Sequence, residues 1–192
     1  LSGNFYHQSM TANFGLINFN LTENASNLTG EDQEGVSQGG TASSSVFSFD
    51  LLYEFQNYAT HSLYAKATGP LISSDNSGYF LGAIGVNKYF NSLSTLFTFS
   101  DEGSRLSVKP LMRYYIGAGF GVGFLVYNLE DAKKSDVVFD IDLHAGLSYM
   151  FGKRWGIRSE IGVSKGTGIA TSSYVFKGLI GLNLFLETKN LF

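Results

Sequence analysis

The run YYIGAGFGVGFLVY, residues 114 to 127, is the longest uncharged apolar stretch of the chain, and its glycines restrict what it can become. Gly117, Gly119, Gly121 and Gly123 fall on one parity, Ile116, Ala118, Phe120, Val122 and Phe124 on the other. Only a strand sorts residues onto two faces with a period of two. The run is also shorter than the roughly 18 to 20 residues that a membrane-spanning helix needs. The same alternation recurs along the chain. Phe47, Phe49, Leu51, Tyr53 and Phe55 oppose Ser48, Asp50 and Glu54, and Phe139, Ile141, Leu143 and Ala145 oppose Asp140, Asp142, His144 and Gly146. Trp155, Ile157, Ile161 and Val163 oppose Gly156, Arg158, Glu160 and Gly162, and Tyr174, Phe176, Ile180 and Leu182 oppose Lys177, Gly181 and Asn183.

An alternating strand can bury its oily face in a soluble sandwich and turn its polar face to water. Two features favour the opposite orientation. The polar faces are rich in glycine and carry both carboxylates and cations at mid-strand, whereas solvated faces favour Thr, Lys, Glu and Ser. The aromatic residues also gather at strand ends, with Tyr53, Phe55, Tyr89, Phe90, Tyr114, Tyr149, Phe151 and Trp155 at one set and Phe47, Phe124, Tyr127, Phe139, Tyr174 and Phe176 toward the other. Two aromatic girdles around an aliphatic band mark a lipid-facing barrel. Charged residues make up 15% of the chain, against about a quarter in soluble domains. The expectation is therefore all-β: a transmembrane antiparallel up-and-down β-barrel formed by residues 1–192 as a single domain. Tyr53, Tyr114, Tyr149, Trp155 and Tyr174 are expected at the membrane interfaces.

Eight strands are expected, at about 5–21, 44–56, 61–71, 78–90, 111–127, 137–151, 154–164 and 172–187. Short connections (QNYAT, GK) alternate with mostly longer polar ones (22–43, 71–77, 128–136, 165–171), as short turns on one rim and long loops on the other would require. Residues 91–110 break this pattern, being long and apolar at Leu96, Phe97 and Phe99. They either add a hairpin, giving ten strands as the alternative, or pack under the barrel mouth. In the first strand the hydrophobic phase changes near Gly15 to Ile17, as a β-bulge would make it do.

The segment VKPLMRYYIGAGFGVGF is similar to the strand of proline, aromatics and alternating glycines found in the small outer-membrane β-barrels of Gram-negative bacteria, the OmpA transmembrane domain, OmpX and OmpW type. The resemblance covers essentially the whole chain and includes the final aromatic Phe192, although ETKN before it interrupts the alternation. It implies an integral protein of the bacterial outer membrane with a periplasmic C-terminus. The chain begins at Leu1 and not Met, which suggests processing or trimming, loss of an export signal being one form of it.

With the oily parity facing lipid, Asp50, Glu54, Lys66, Arg113, Asp140, Asp142, His144, Arg158, Glu160, Lys177 and Glu187 point into the lumen. An eight-stranded barrel is just wide enough for side chains to fill, so these charges must neutralise one another or change protonation state. Arg113 is expected beside Asp140 or Asp142, and Lys177 facing Arg158 and Glu160, with the glycines making room for long Arg and Glu side chains. Mutual pairing leaves no metal or cofactor site to expect at Asp140, Asp142 and His144. No Ser, His and acid fall within catalytic reach on one face, and His61 and Ser62, as strand neighbours, point to opposite faces. No enzyme is expected. A net charge of −3 with scattered cations argues against nucleic acid, and the absence of cysteine excludes disulfides and thiolate metal sites.

The outer rim is acidic, through Glu23, Glu31, Asp32, Glu34, Glu130 and Asp131 among others. Such loops can be merely solvated, or can meet lipopolysaccharide through divalent cations or a surface ligand or host partner. The expected function is a structural, membrane-integrity or surface-interaction role, with outer-membrane lipid and lipopolysaccharide as partners. The alternatives are a narrow OmpW-like transporter of small apolar molecules and a lipid-modifying enzyme.

Overall fold

A computed structural model describes residues 7–23, 41–58, 60–73, 78–90, 97–101, 104–108, 111–129, 132–151 and 154–187. Ten strands follow in order: β1 (His7–Glu23), β2 (Thr41–Tyr58), β3 (His61–Ser73), β4 (Gly78–Tyr89), β5 (Phe97–Asp101), β6 (Ser104–Val108), β7 (Met112–Leu129), β8 (Ala132–Met150), β9 (Trp155–Gly168) and β10 (Thr171–Glu187). Eight of them close a barrel in the order β1-β10-β9-β8-β7-β4-β3-β2, every neighbouring pair antiparallel. The 91–110 stretch does contain a hairpin, but β5 and β6 form a separate two-stranded sheet. With five residues each, they fall short of the roughly 9 to 11 that a barrel strand needs to cross a membrane.

The oily parity faces outward. Phe120, Phe139, Ile141 and Ile161 are each more than 60% exposed on the wall, a band of large apolar side chains that water would not tolerate and acyl chains would. All five interface aromatics lie on this outer surface.

The expected bulge in β1 is absent. Its register with both β2 and β10 is unbroken, and even residues point outward from Met10 to Thr22. What changes along β1 is the environment. Beyond Gly15 the inward residues become Ile17, Phe19 and Leu21, while Asn18, Asn20 and Thr22 face outward. Ile17, Phe19 and Leu21 join Val46, Tyr79, Leu81, Ala83, Leu125, Tyr127, Val138 and Val175 in a buried apolar cluster that fills this half of the lumen. Tyr127, like Tyr89 toward the other end, therefore belongs to the interior rather than to an outer girdle. The rim at this end, where β1 meets β2, is the far rim; the rim carrying His7 and Glu187 is the terminal rim.

Strand length accounts for the inversion. An 18-residue strand such as β7, at about 3.3 Å per residue and tilted about 40°, spans roughly 45 Å along the axis against a lipid-facing band of roughly 25 Å. The far ends of such strands reach past the lipid band, and on β1 the wall there follows the soluble rule of apolar inside and polar outside, while Phe176 and Tyr174 of β10, opposite Asn18 and Asn20, keep aromatic rings on the outer surface.

One seam in the wall is incomplete. The β3–β4 ladder ends at Thr68 opposite Leu81, although β3 stays paired with β2 as far as Ser73 and β4 with β7 from Gly78. Pro70, which has no N–H to donate, lies just past the break.

Candidate functional site

The polar lumen starts near the terminal rim at Arg113, which is fully buried. Its guanidinium lies over the Tyr89 and Phe185 rings, 5.0 and 4.7 Å from their centroids, and donates to Ser148 Oγ at 3.1 Å. Arg113 is thus not beside Asp140 or Asp142. Asp142 sits opposite Gly119, six residues or about 20 Å further along β7.

The middle of the barrel holds a closed ring of ion pairs and hydrogen bonds. Arg158 donates to Glu54 Oε2 at 2.9 Å and to Glu160 Oε2 at 3.3 Å, with its guanidinium 4.1 Å from the Tyr115 ring centroid. Lys177 joins Glu160, at 3.7 Å, to Asp142. Lys66 donates to Asp142 Oδ2 at 2.8 Å. His144 Nδ1 lies 2.6 Å from Asp142 Oδ2, and its Nε2 lies 2.8 Å from Asn87 Oδ1. Asn87 Nδ2 then donates to Glu54 Oε1 at 3.1 Å, closing the circuit. Ser62 and Tyr89 also donate to Glu54, Tyr89 at 2.5 Å, and Tyr115 donates to Glu160 at 3.0 Å.

The ring spans the lumen rather than lining one wall. In the barrel order β1 and β10 separate Glu54 on β2 from Arg158 on β9, and β4 and β7 separate Lys66 on β3 from Asp142 on β8. Three carboxylates (Glu54, Asp142, Glu160) meet three fixed cations (Lys66, Arg158, Lys177), so the charges balance without bulk water. This is the condition for burying ions in a medium of low polarity. Lys177 contacts Glu160 as expected, but its second partner is Asp142, not Arg158. Asp50 stands to one side of the ring and accepts from Thr68 at 3.1 Å.

The glycine face of β7 makes room for this ring, though for different side chains than expected. A Cβ on Gly117 would lie 2.2 Å from both Asn87 Oδ1 and His144 Nε2, and one on Gly119 would lie 2.1 Å from the Tyr64 hydroxyl. The uncharged members Ser62, Tyr64, Asn87, Tyr89 and Tyr115 are the ones that reading charges alone misses. Their signal is parity, since Ser62 and Tyr64 share the face of Lys66, and Tyr115 that of Arg113.

Among the described residues, no group of three or more His, Asp and Glu side chains is placed to hold a metal ion. His61 is exposed and Ser62 is buried, on opposite faces of β3. At the far mouth Glu23 pairs with Lys134 at 2.6 Å, from β1 to β8, with both partly exposed. Glu31, Asp32, Glu34, Glu130, Asp131 and the Glu187 side chain lie outside the described residues.

No protein-family model matches the sequence, and no curated protein sequence matches it. The solved structures do. Neisserial surface protein A aligns over 96% of this chain and 99% of its own, with a TM-score of 0.54 at 12% identity. The N-terminal β-barrel domain of OprF from Pseudomonas aeruginosa aligns over 96% of this chain and all of its own, with a TM-score of 0.53 at 11% identity. The chain has the fold of the small outer-membrane β-barrels. Within that fold Tyr53, Tyr114, Tyr149, Trp155 and Tyr174 are exposed on the outer wall, and the ionic ring occupies the space that wider barrels leave to water.

Proposed function

We propose that the chain is an integral protein of the bacterial outer membrane, its C-terminus and terminal rim in the periplasm. It works there as a closed, non-enzymatic barrel that reinforces the membrane and displays its far-rim segments. The observation that carries this reading is the double obstruction of the lumen. Glu54, Arg158, Glu160, Lys177, Asp142, Lys66, His144 and Asn87 cross it with their charges matched, and the cluster around Phe19, Leu125 and Val138 fills it beyond them. An ion entering from either side meets side chains at every level. The acidic residues in and beside the far-rim connections (Glu23, Glu31, Asp32, Glu34, Glu130, Asp131) suit lipopolysaccharide bridged by divalent cations, or a cationic surface partner. Purified protein in planar bilayers is expected to be electrically silent; stepwise currents would remove this reading.

The interrupted β3–β4 ladder favours a second reading, transport of small apolar molecules sideways into lipid. The break lies beside an outer groove of 510 Å³ lined by Phe49, Phe80, Val122 and Phe124, with Leu81 of the luminal apolar cluster also at its edge. Uptake of a hydrophobic fluorophore into vesicles tests it. Uptake accelerated by the wild type and slowed by Phe80→Trp, in a barrel that carries no current, is the result this reading requires.

A further inference from the structure

Asp140 is a luminal carboxylate that the ring leaves out. It is 1% exposed, it makes no ion pair, and neither of its oxygens accepts a hydrogen bond of ordinary geometry among the described residues. Lys177, a cation whose charge acts on Asp140, is already shared between Asp142 and Glu160. Burying an unpaired carboxylate is among the costliest things a fold can do. The partners of Asp140 in register are Gly121 on β7 and Gly166 on β9, so no side chain stands next to it on either neighbouring strand. On the β7 side Gly82, Ala83 and Leu81 close in around Gly121, so what room there is lies toward Gly166.

Other polar groups turn toward the same space. A Cβ on Gly166 would lie 2.4 Å from Ser173 Oγ and 3.8 Å from Asp140 Oδ1, so both oxygens border one gap. The Tyr79 and Ser164 hydroxyls also turn toward Asp140 and interact with its carboxylate, from beyond ordinary hydrogen-bond geometry. Ser173 is fully buried and Tyr79 nearly so, and neither hydroxyl makes a hydrogen bond of ordinary geometry. Oxygens gathered around a gap without bonding each other directly are spaced to be bridged by something between them.

We propose that this gap, between the ionic ring and the apolar cluster, binds a small monovalent cation of the sodium class on Asp140, with Ser173, Tyr79 and Ser164 as neutral oxygen donors. The donor set selects the ligand. All-oxygen sites take hard cations rather than the transition metals that prefer imidazole or thiolate. A single carboxylate balances one positive charge, and a divalent ion would leave an excess beside an already neutral ring. The ring and the cluster close the gap on both sides, so the ion enters as the barrel forms.

Folding equilibria in detergent micelles test this, read by urea titration of Trp155 fluorescence in sodium chloride and in choline chloride at equal ionic strength. The folding constant is expected to rise with sodium, approaching tenfold per tenfold increase once the ion saturates the site, and to stay flat when choline replaces it. Asp140→Asn abolishes the rise, as does Gly166→Ala, which keeps the carboxylate and fills the gap. Should Asp140→Asn not fold, Gly166→Ala carries the same comparison. Equal stability in sodium and choline overturns the proposal, leaving a neutral or merely hydrated carboxyl at Asp140. A sodium effect that survives the substitutions also overturns it, because the ion would then bind elsewhere.

Discussion

Replacing Arg158 with Met removes the cation that joins Glu54 to Glu160 while keeping much of the side chain's length and its contact with Tyr115. Both carboxylates are almost wholly buried, so water cannot replace the guanidinium. Removing one partner of a buried pair costs about 3 to 5 kcal/mol. Glu54 keeps Ser62, Asn87 and Tyr89 as donors, and Glu160 keeps Tyr115 and Lys177. The remaining donors place Arg158→Met at the low end, about 3 kcal/mol, or roughly a 150-fold loss in the folding constant. Glu54→Gln alone removes the nearer of the two carboxylates that Arg158 meets and leaves it Glu160, whereas the double variant removes both charges of the Glu54–Arg158 pair. Its cost should fall below the sum of the singles by roughly 2 kcal/mol. Trp155 is the single tryptophan and sits on the exposed wall, so urea titration in micelles followed by its emission reads all four proteins. A cost under about 1 kcal/mol for Arg158→Met, or strict additivity with Glu54→Gln, would refute the claim that the ring is a coupled, dehydrated unit.

Ile141→Arg, in the middle of the exposed apolar band, should cost about 2 to 4 kcal/mol, and Asn20→Arg, of outward parity near the far rim, about 0 to 1 kcal/mol; equal costs in the same titration would move the lipid boundary. Gly117→Ala should destabilise by about 1 to 3 kcal/mol by driving a methyl into Asn87 and His144. Gly178→Ala, where a Cβ meets nothing within 4 Å, should leave the midpoint unchanged. The chain has no cysteine, so single cysteines report sidedness cleanly. Asp32→Cys should react with an impermeant maleimide in intact cells, and Lys153→Cys only after the outer membrane is opened; the reverse pattern would invert the orientation.

The barrel was legible in the sequence because a period of two is insensitive to detail: a strand with lipid on one side and a lumen on the other sorts its residues strictly. The luminal charges at Asp50, Glu54, Lys66, Asp142, Arg158, Glu160 and Lys177 followed from parity alone. Their partners did not, since pairing across the lumen depends on stagger and tilt, which set height along the axis. Arg113 and Asp142 lie on adjacent strands and still never meet. The far half of β1 misled for a different reason. Ile17, Phe19 and Leu21 reverse the hydrophobic phase without any bulge, because the medium outside the wall changes while the backbone does not. Hydrophobic phase reports the solvent on each face, and a register shift is only one way to alter it.

The polar outer face of upper β1 carries a further consequence. Oily side chains give way to amides and hydroxyls partway up strands that continue without a break, so the depth at which the protein floats is fixed by that chemical waterline and not by where its strands end. Above the line, hairpins can gain or lose residues in matched pairs, and whatever they carry can be raised or lowered over the membrane like a mast stepped on an unmoving hull.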